Sequence, residues 1–392
     1  MPASSFRFIP GTSLYQPMDT RVAHIALTVI QRSSRELPAD QALREELKRQ
    51  RGLLPGDGRE VAQAVFAWFR WRGWLGETPE EASLAAAVTM QERFDRAPET
   101  FPDSELAARA VPSWTAAETA VTKGWLRTLQ RTPKLWLRAP AGLGSALAQR
   151  LGAARVKDHM PEAMEYFGRE DLFRTPEFHE GEFEVQDINS QVVGFLCGAQ
   201  PGETWWDACA GEGGKTLHLS NLMANKGLIW ASDRAAWRLQ RLKQRAGRAR
   251  VFNYRAALWD GGPKLPTKTK FDGVLVDAPC SGQGTWQRNP HARWTTTAKD
   301  VRELAAIQQR LLAHTAPSLK PGGRLVYAVC TLARAETDEV ADAFEQNVPG
   351  FEPWPMASPL DRDGEKHARV WLRPEATDGN GMFIAAWRRR PD

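Results

Sequence analysis

Cysteine is scarce in this chain. Four residues of 392 are cysteine, Cys197, Cys209, Cys280 and Cys330, and no two form a Cys-x-x-Cys pair. That usage excludes a disulfide framework and a sulfur-rich zinc site as the organising principle of the fold. A cysteine that matters here therefore matters as a thiol. Long hydrophobic runs are missing too, since none approaches the roughly 18 apolar residues of a membrane-spanning helix. Met1 to Pro10 lack the basic stretch and apolar core of a secretory signal, so the expected location is the cytoplasm, with no membrane partner. Repeats and low-complexity tracts are absent as well. Neither sign of charge dominates: 52 Lys and Arg face 47 Asp and Glu, a net +5. So mild a basic excess suits a polyanionic partner without requiring one.

What is present reads as a multidomain globular protein, because 392 residues exceed one ordinary core. After Asp19-Thr20, the residues Val22, Ile25, Ala26, Val29 and Ile30 follow the spacing of one helical face. After the turn Pro55-Gly56-Asp57-Gly58, Val61, Ala64, Val65, Trp68 and Phe69 do the same. No strand pattern precedes residue 135, so 1–134 are expected to form one helical domain, with Ala110 to Trp114 as a loop inside it. Leu135 to Arg138 read as a strand and Ser145 to Leu151 as a helix, which makes 135–190 a small α+β subdomain.

From 191 to 392 short β-rich runs alternate with helical stretches, the signature of a Rossmann-like α/β domain with a mostly parallel sheet. The expected strands are Thr204 to Ala208, Leu228 to Ser232, Val251 to Tyr254, Phe271 to Asp277 and Arg324 to Cys330. A helix over Lys299 to Ser318 should stop at the turn Lys320-Pro-Gly-Gly323. Met382 to Trp387, with no helix after it, reads as an antiparallel edge strand.

In open α/β sheets ligands bind beyond the carboxyl ends of the strands, and the chemically interesting residues fall there. The first of these strands runs into Asp207-Ala-Cys-Ala-Gly-Glu-Gly-Gly-Lys215-Thr216, where Gly211, Gly213 and Gly214 permit a tight turn and close approach of a ligand. A P-loop would need glycine where Cys209 stands, and a dinucleotide fingerprint would need a small residue at Thr216. S-adenosylmethionine, which requires no pyrophosphate cradle, fits the loop best; a purely structural turn is the alternative. Asp233 ends the next strand, where an acid can bind ribose hydroxyls or cap a helix. Two further strands end in Asp277-Ala-Pro-Cys280-Ser-Gly282 and Tyr327-Ala-Val-Cys330-Thr331. As neighbours about 4.8 Å apart they would bring two thiols to one cleft.

Carbon 5 of a pyrimidine is too weak a nucleophile to be methylated directly. A thiolate adding to carbon 6 makes it an enamine-like nucleophile, an acid near N3 stabilises the adduct, and a base then removes the carbon 5 proton. A thiol, an acid and a methyl donor are the parts required, and this cleft offers all three.

At these residues the sequence resembles the RNA 5-methylcytosine methyltransferases of the bacterial RsmB type, also called the Sun or Nop2 family. Asp207 to Thr216 is similar to DxCAxPGGKT, Asp277 to Gly282 matches DAPCSG, and Tyr327 to Thr331 is similar to YxTCS, with Glu336 at the downstream acidic position. Gln186-Asp187-x-x-Ser190 matches a QDxxS segment, and Asp378 to Ala385 resembles DGxGFFxA. Gly58-Arg59-Glu60 leading into Ala67 to Arg70 resembles, more weakly, a NusB-type RNA-binding domain. The resemblance implies Cys330 as the carbon 6 nucleophile, Cys280 as an aid to product release, and Asp277 as a contact to base and cofactor. It implies a cofactor pocket of Cys209, Ala210, Gly211, Glu212, Gly213, Gly214, Lys215, Asp233, Asn253 and Asp277, with no metal. The implied partner is RNA, ribosomal first and transfer RNA second, bound by a monomer. Glu212 stands where the family has proline, Val329 where it has threonine, Thr337 where it has asparagine, and Asn253 where an aspartate commonly meets the donor. A second reading follows from those departures, an RNA-binding assembly factor that has lost turnover. The mixed basic and aromatic run Trp286 to Trp294 could stack RNA or simply pack on the domain.

Overall fold

The computed structural model describes residues 18–391 except 55, 77, 362 and 363. The leader reading of Met1 to Pro10, and Pro55 of the first turn, lie outside the described residues. The chain divides into two compact units at Glu92/Arg93.

In the first unit, the helix Thr20–Arg32 starts where Asp19 accepts the backbone N–H groups of Arg21 and Val22. Its apolar face, Val22 through Ile30, is buried, as is that of the helix Asp57–Trp71. Buried Arg70 finds its partner in Gln91 at 2.8 Å. The helical reading of this stretch holds, but its expected end does not. The helices Asp103–Arg109 and Lys123–Gln130 belong to the second unit rather than to a domain running to 134. Their anchor is Arg293, fully buried, whose guanidinium donates to the carbonyls of Ala110 at 2.8 Å and Leu129 at 3.0 Å. Trp125 stacks on Trp286 nearby, with ring centroids 6.1 Å apart.

The second unit holds two main sheets. Strands β1 (Leu135–Arg138), β2 (Ala154–Lys157), β3 (Met160–Tyr166) and β4 (Glu184–Val185) form a small antiparallel sheet in the order β2-β3-β1-β4, with the helix Gly144–Leu151 packed beside it. The larger sheet is built from β5 (Thr204–Asp207), β6 (Leu228–Asp233), β7 (Tyr254–Leu258), β8 (Phe271–Asp277), β9 (Leu319–Val329), β10 (Phe351–Pro353), a short pair β11 (Met356–Ala357) and β12 (Lys366–His367) lying outside it, then β13 (Arg369–Leu372) and β14 (Met382–Arg389). Its order is β10-β14-β9-β8-β5-β6-β7, with β13 also on β14. β5 to β9 run parallel and the remainder antiparallel. Alternation along β5 sends Trp205 into one face's core and Trp206 into the other's, so helices can cover both faces. Gly273 on β8 makes room for this, because a Cβ there would lie 2.3 Å from the Trp205 ring.

Three expected strands shift. The third parallel strand is Tyr254–Leu258, not Val251 to Tyr254; Val251 is instead buried in the core beneath the helix Ala236–Arg248. As a sheet-edge strand β7 is half exposed and carries little hydrophobic alternation, which hid it. β9 begins at Leu319 and absorbs Lys320 to Gly323 as an irregularity in its pairing with β8. β14 is antiparallel as expected but lies inside the sheet, between β9 and the strands β10 and β13.

Candidate active site

Cys330 directly follows β9, and Cys280 sits three residues beyond the end of β8. The parallel pairing of these strands carries both cysteines to the same end of the sheet, with their Sγ atoms 3.3 Å apart and both thiols free. At that separation one sulfur donates to the other, and their surroundings decide which. Accepting from Cys280 holds the Cys330 thiol below its ordinary range against the effect of burial, and the Lys215 and Arg288 cations act the same way. Donating to Cys330, burial and the Glu336 charge all push the Cys280 thiol up. Cys330 is therefore the more acidic thiol of the pair and Cys280 the less acidic one.

Two devices fix these sulfurs. Glu336, in the 3-10 turn Arg334–Glu336, is fully buried and joins the two cysteine loops. Its Oε1 accepts the Ser281 backbone N–H at 2.8 Å and the Gln308 amide at 2.9 Å. Oε2 accepts the Thr331 hydroxyl at 3.1 Å and the Ser281 hydroxyl. Tyr327 donates to the Glu336 carbonyl at 2.6 Å, and Gln308 also holds the Pro279 carbonyl at 2.9 Å. The second device is a backbone chain. Gly284 N–H donates to the Cys330 carbonyl at 3.1 Å, Gly381 N–H donates to the Gly284 carbonyl at 2.8 Å, and Asn380 N–H donates to the Asp187 carboxylate at 3.0 Å. A side chain at Gly284 has no room, since its Cβ would stand 1.9 Å from the Gly381 oxygen.

The glycine loop follows β5, the neighbour of β8 on the side away from β9. Gly211 at φ +55° faces open space, whereas Gly213 at φ +89° lies so close that a Cβ would come within 2.7 Å of Leu242. Both conformations favour glycine. The helix Gly214–Leu222 starts here and sends Lys215 across to Asp277, with Nζ to Oδ2 2.6 Å. Burial pulls the Lys215 ammonium down, but the Asp277 carboxylate outweighs it and the value is raised. Asp207 is fully buried, its Oδ2 accepts the Thr216 hydroxyl at 2.6 Å, and burial pushes its carboxyl up to about 7. Asp233 ends β6, accepting Gly211 N–H at 3.1 Å and Ala235 N–H at 2.8 Å. It thus ties the glycine loop to the turn that precedes the helix Ala236–Arg248, whose N-cap residue is Ala235.

Residues 195–388 match the family model described as 16S rRNA methyltransferase RsmB/F. This domain belongs to the RsmB/F family. The chain is 37% identical over 233 residues to a probable ribosomal RNA small subunit methyltransferase B of Synechocystis sp., covering 58% of this chain and 52% of that protein. It is 33% identical over 292 residues to ribosomal RNA small subunit methyltransferase B of Xylella fastidiosa, covering 69% of this chain and 65% of that protein. The chain thus spans about half to two thirds of the length of the curated relatives it matches. Among solved structures, PH0851 superposes with a TM-score of 0.78 over 95% of this chain and 99% of that one, at 22% identity, and shares the fold. A methyltransferase homolog protein from Pyrococcus horikoshii gives a TM-score of 0.57 at 25% identity over 77% of this chain and 99% of that one.

The RsmB/F domain gathers Cys330, Cys280, Asp277, Lys215, Asp233 and the Cys209 to Gly214 loop at one end of its sheet. Asn253 is not among them. It precedes β7 and therefore sits at the opposite end, where its Oδ1 accepts Ser220 at 2.7 Å and its Nδ2 donates to the Lys226 carbonyl at 3.2 Å. The resemblance implies a cofactor contact at Asn253, but β7 starts one residue later, at Tyr254. Asp260, two residues past the end of β7, is the acid that this strand delivers to the site's end of the sheet, beside Trp259, whose N–H donates to the Asp233 carbonyl at 3.2 Å. An acid just ahead of Gly261-Gly262-Pro263 was its signal in the sequence. At Glu212 the backbone carbonyl receives Arg245 at 3.0 Å. The run Trp286 to Trp294 is a packed wall, with Trp286, His291 and Arg293 buried; its Arg288 is exposed.

Proposed function

We propose that this chain methylates carbon 5 of a cytosine in small-subunit ribosomal RNA, with S-adenosylmethionine as donor and Cys330 as covalent nucleophile. The observation that carries the reading is a pair of free thiols 3.3 Å apart at the ends of neighbouring parallel strands, beside a glycine loop. The relatives' activity on small-subunit ribosomal RNA supports the substrate class. The residues of the loop suit the donor. The first N–H groups of the helix Gly214–Leu222 have no intrahelical partner and favour its carboxylate. The open side of Gly211 admits close approach, and Asp233 keeps lone pairs for ribose hydroxyls. Asp260 takes the part given above to Asn253.

The Cys330 thiolate adds to carbon 6 of the base, making carbon 5 the nucleophile. When bound, S-adenosylmethionine supplies a methyl group on a positively charged sulfur, the electrophile that such a carbon accepts. Asp277, gripped by Lys215, contacts the base and stabilises the adduct. Water in the open cleft takes the carbon 5 proton, the ring double bond re-forms as the carbon 6–sulfur bond breaks, and Cys330 leaves as the thiolate it began as. The Cys280 thiol 3.3 Å away eases that departure by donating its hydrogen bond to the leaving sulfur, which frees the RNA. The target is an unpaired cytosine, because a stacked one hides carbon 6. The N-terminal helical unit serves as the RNA-binding module.

The test is tritium transfer from labelled donor to small-subunit ribosomal RNA and to transfer RNA, with nucleoside analysis of the product. Label in 5-methylcytosine of ribosomal RNA is the expected result. Donor binding without transfer to either RNA would overturn the enzymatic reading in favour of an assembly factor.

A further inference from the structure

Two cysteines of one chemical kind sit 3.3 Å apart, yet the reaction needs one of them ionised and the other protonated. Nothing in the thiols themselves separates them; the asymmetry lies in what surrounds each. Glu336 meets the Cys280 loop through two groups of Ser281, its backbone N–H and its hydroxyl, and the Cys330 loop through the Thr331 hydroxyl alone. Its two oxygens face four donors, from the Ser281 backbone, the Ser281 and Thr331 hydroxyls and the Gln308 amide. Burial pushes its carboxyl up and these bonds oppose that; an acceptor-only carboxylate satisfies all four, whereas a protonated one would spend an oxygen as donor. No salt bridge neutralises it among the described residues, and it is fully buried. On the Cys330 side the Asp277 carboxylate pushes the thiol up, while the Lys215 ammonium that holds Asp277 at 2.6 Å and the Arg288 cation pull it down. Tyr327, the other titratable group against Glu336, is itself pushed up by burial and by this charge and stays neutral.

We propose that Glu336 is the positioning residue that assigns the two thiols their roles: its buried negative charge keeps Cys280 protonated and leaves the shared charge of the pair on Cys330. The same carboxylate sets the geometry through Ser281, next to Cys280, and Thr331, next to Cys330. This deepens the thiol chemistry proposed above and rests on it for its biological meaning, but it concerns the free protein and is testable without RNA.

The experiment is carboxamidomethylation by iodoacetamide across pH 6–9, with the rate at each cysteine read from its own peptide by mass spectrometry. Only the thiolate alkylates. In the wild type Cys330 should react at least about tenfold faster than Cys280 near neutrality, one pKa unit being a factor of ten. In Glu336→Gln the ratio should fall by about that factor, with the Cys280 profile moving to lower pH. Glu336→Asp keeps the charge and must keep the Cys330 preference, so it carries the test should the glutamine variant fail to fold. An unchanged ratio in folded E336Q, or a lost preference in E336D, overturns the assignment. A ratio that shifts as expected in a protein that never methylates RNA would fault the proposed reaction and leave this inference standing.

Discussion

At the scale of single residues the site is a set of charges arranged around two sulfurs. Cys330→Ala should reduce tritium transfer by about three orders of magnitude or more, the scale on which a covalent nucleophile is missed; residual activity near wild type would move the nucleophile elsewhere. Cys280→Ala should leave protein bound to RNA as an adduct that survives denaturing electrophoresis, and its absence would remove Cys280 from product release. Asp207 gives a stability signature. Burial raises its carboxyl from 3.8 to about 7, so in that interval the folded protein holds a proton that the unfolded chain has released. Stability should therefore fall as pH rises from about 4 to about 7, reversing the usual behaviour of a paired carboxylate. Thermal melts of Asp207→Asn should lack this decline and exceed wild type at pH 8; parallel curves would contradict it. The sequence made Cys280, Cys330 and Asp277 legible because short motifs place them at strand ends. It could not reveal which thiol is the more acidic, since Lys215, Arg288 and Glu336 come from three different segments.

At the scale of elements, the bounds of each strand decide which residues reach the site's end of the sheet. β8 is legible at its true bounds because its centre, Val274-Leu275-Val276, is an apolar run buried on both faces. β7, half exposed, is displaced in the sequence reading toward the more hydrophobic Val251 to Tyr254. The backbone chain from Cys330 through Gly284 and Gly381 to Asn380 links three elements that no local pattern connects. Gly284→Ala tests it: a Cβ 1.9 Å from a backbone oxygen must displace one of the two loops. Destabilisation of about 1–3 kcal/mol, together with loss of methyl transfer, is expected from denaturant melts and activity assays.

At the scale of the whole molecule, the two compact units part at Glu92/Arg93 rather than near 134. Helical periodicity continues past Arg93, and periodicity cannot report what a helix packs against. The fragment 93–392 should therefore melt cooperatively, whereas 135–392 strips the cover from Trp286 and leaves Arg293 without its carbonyls from Ala110 and Leu129. Circular dichroism melts of both fragments decide the matter; equal stability would restore the boundary at 134.

By itself the sequence determined the parallel sheet, the glycine loop and the two cysteine motifs at its strand ends, because each is written in a local pattern of hydrophobic runs, glycines and short motifs. The tertiary structure alone decided the 3.3 Å separation of the thiols, the buried carboxylate that bridges their loops, the acid that stands at the end of β7, and the seam between the units. Those features depend on which distant segments meet, and a hydrogen bond or a buried charge acquires its partner only when the chain has closed around it.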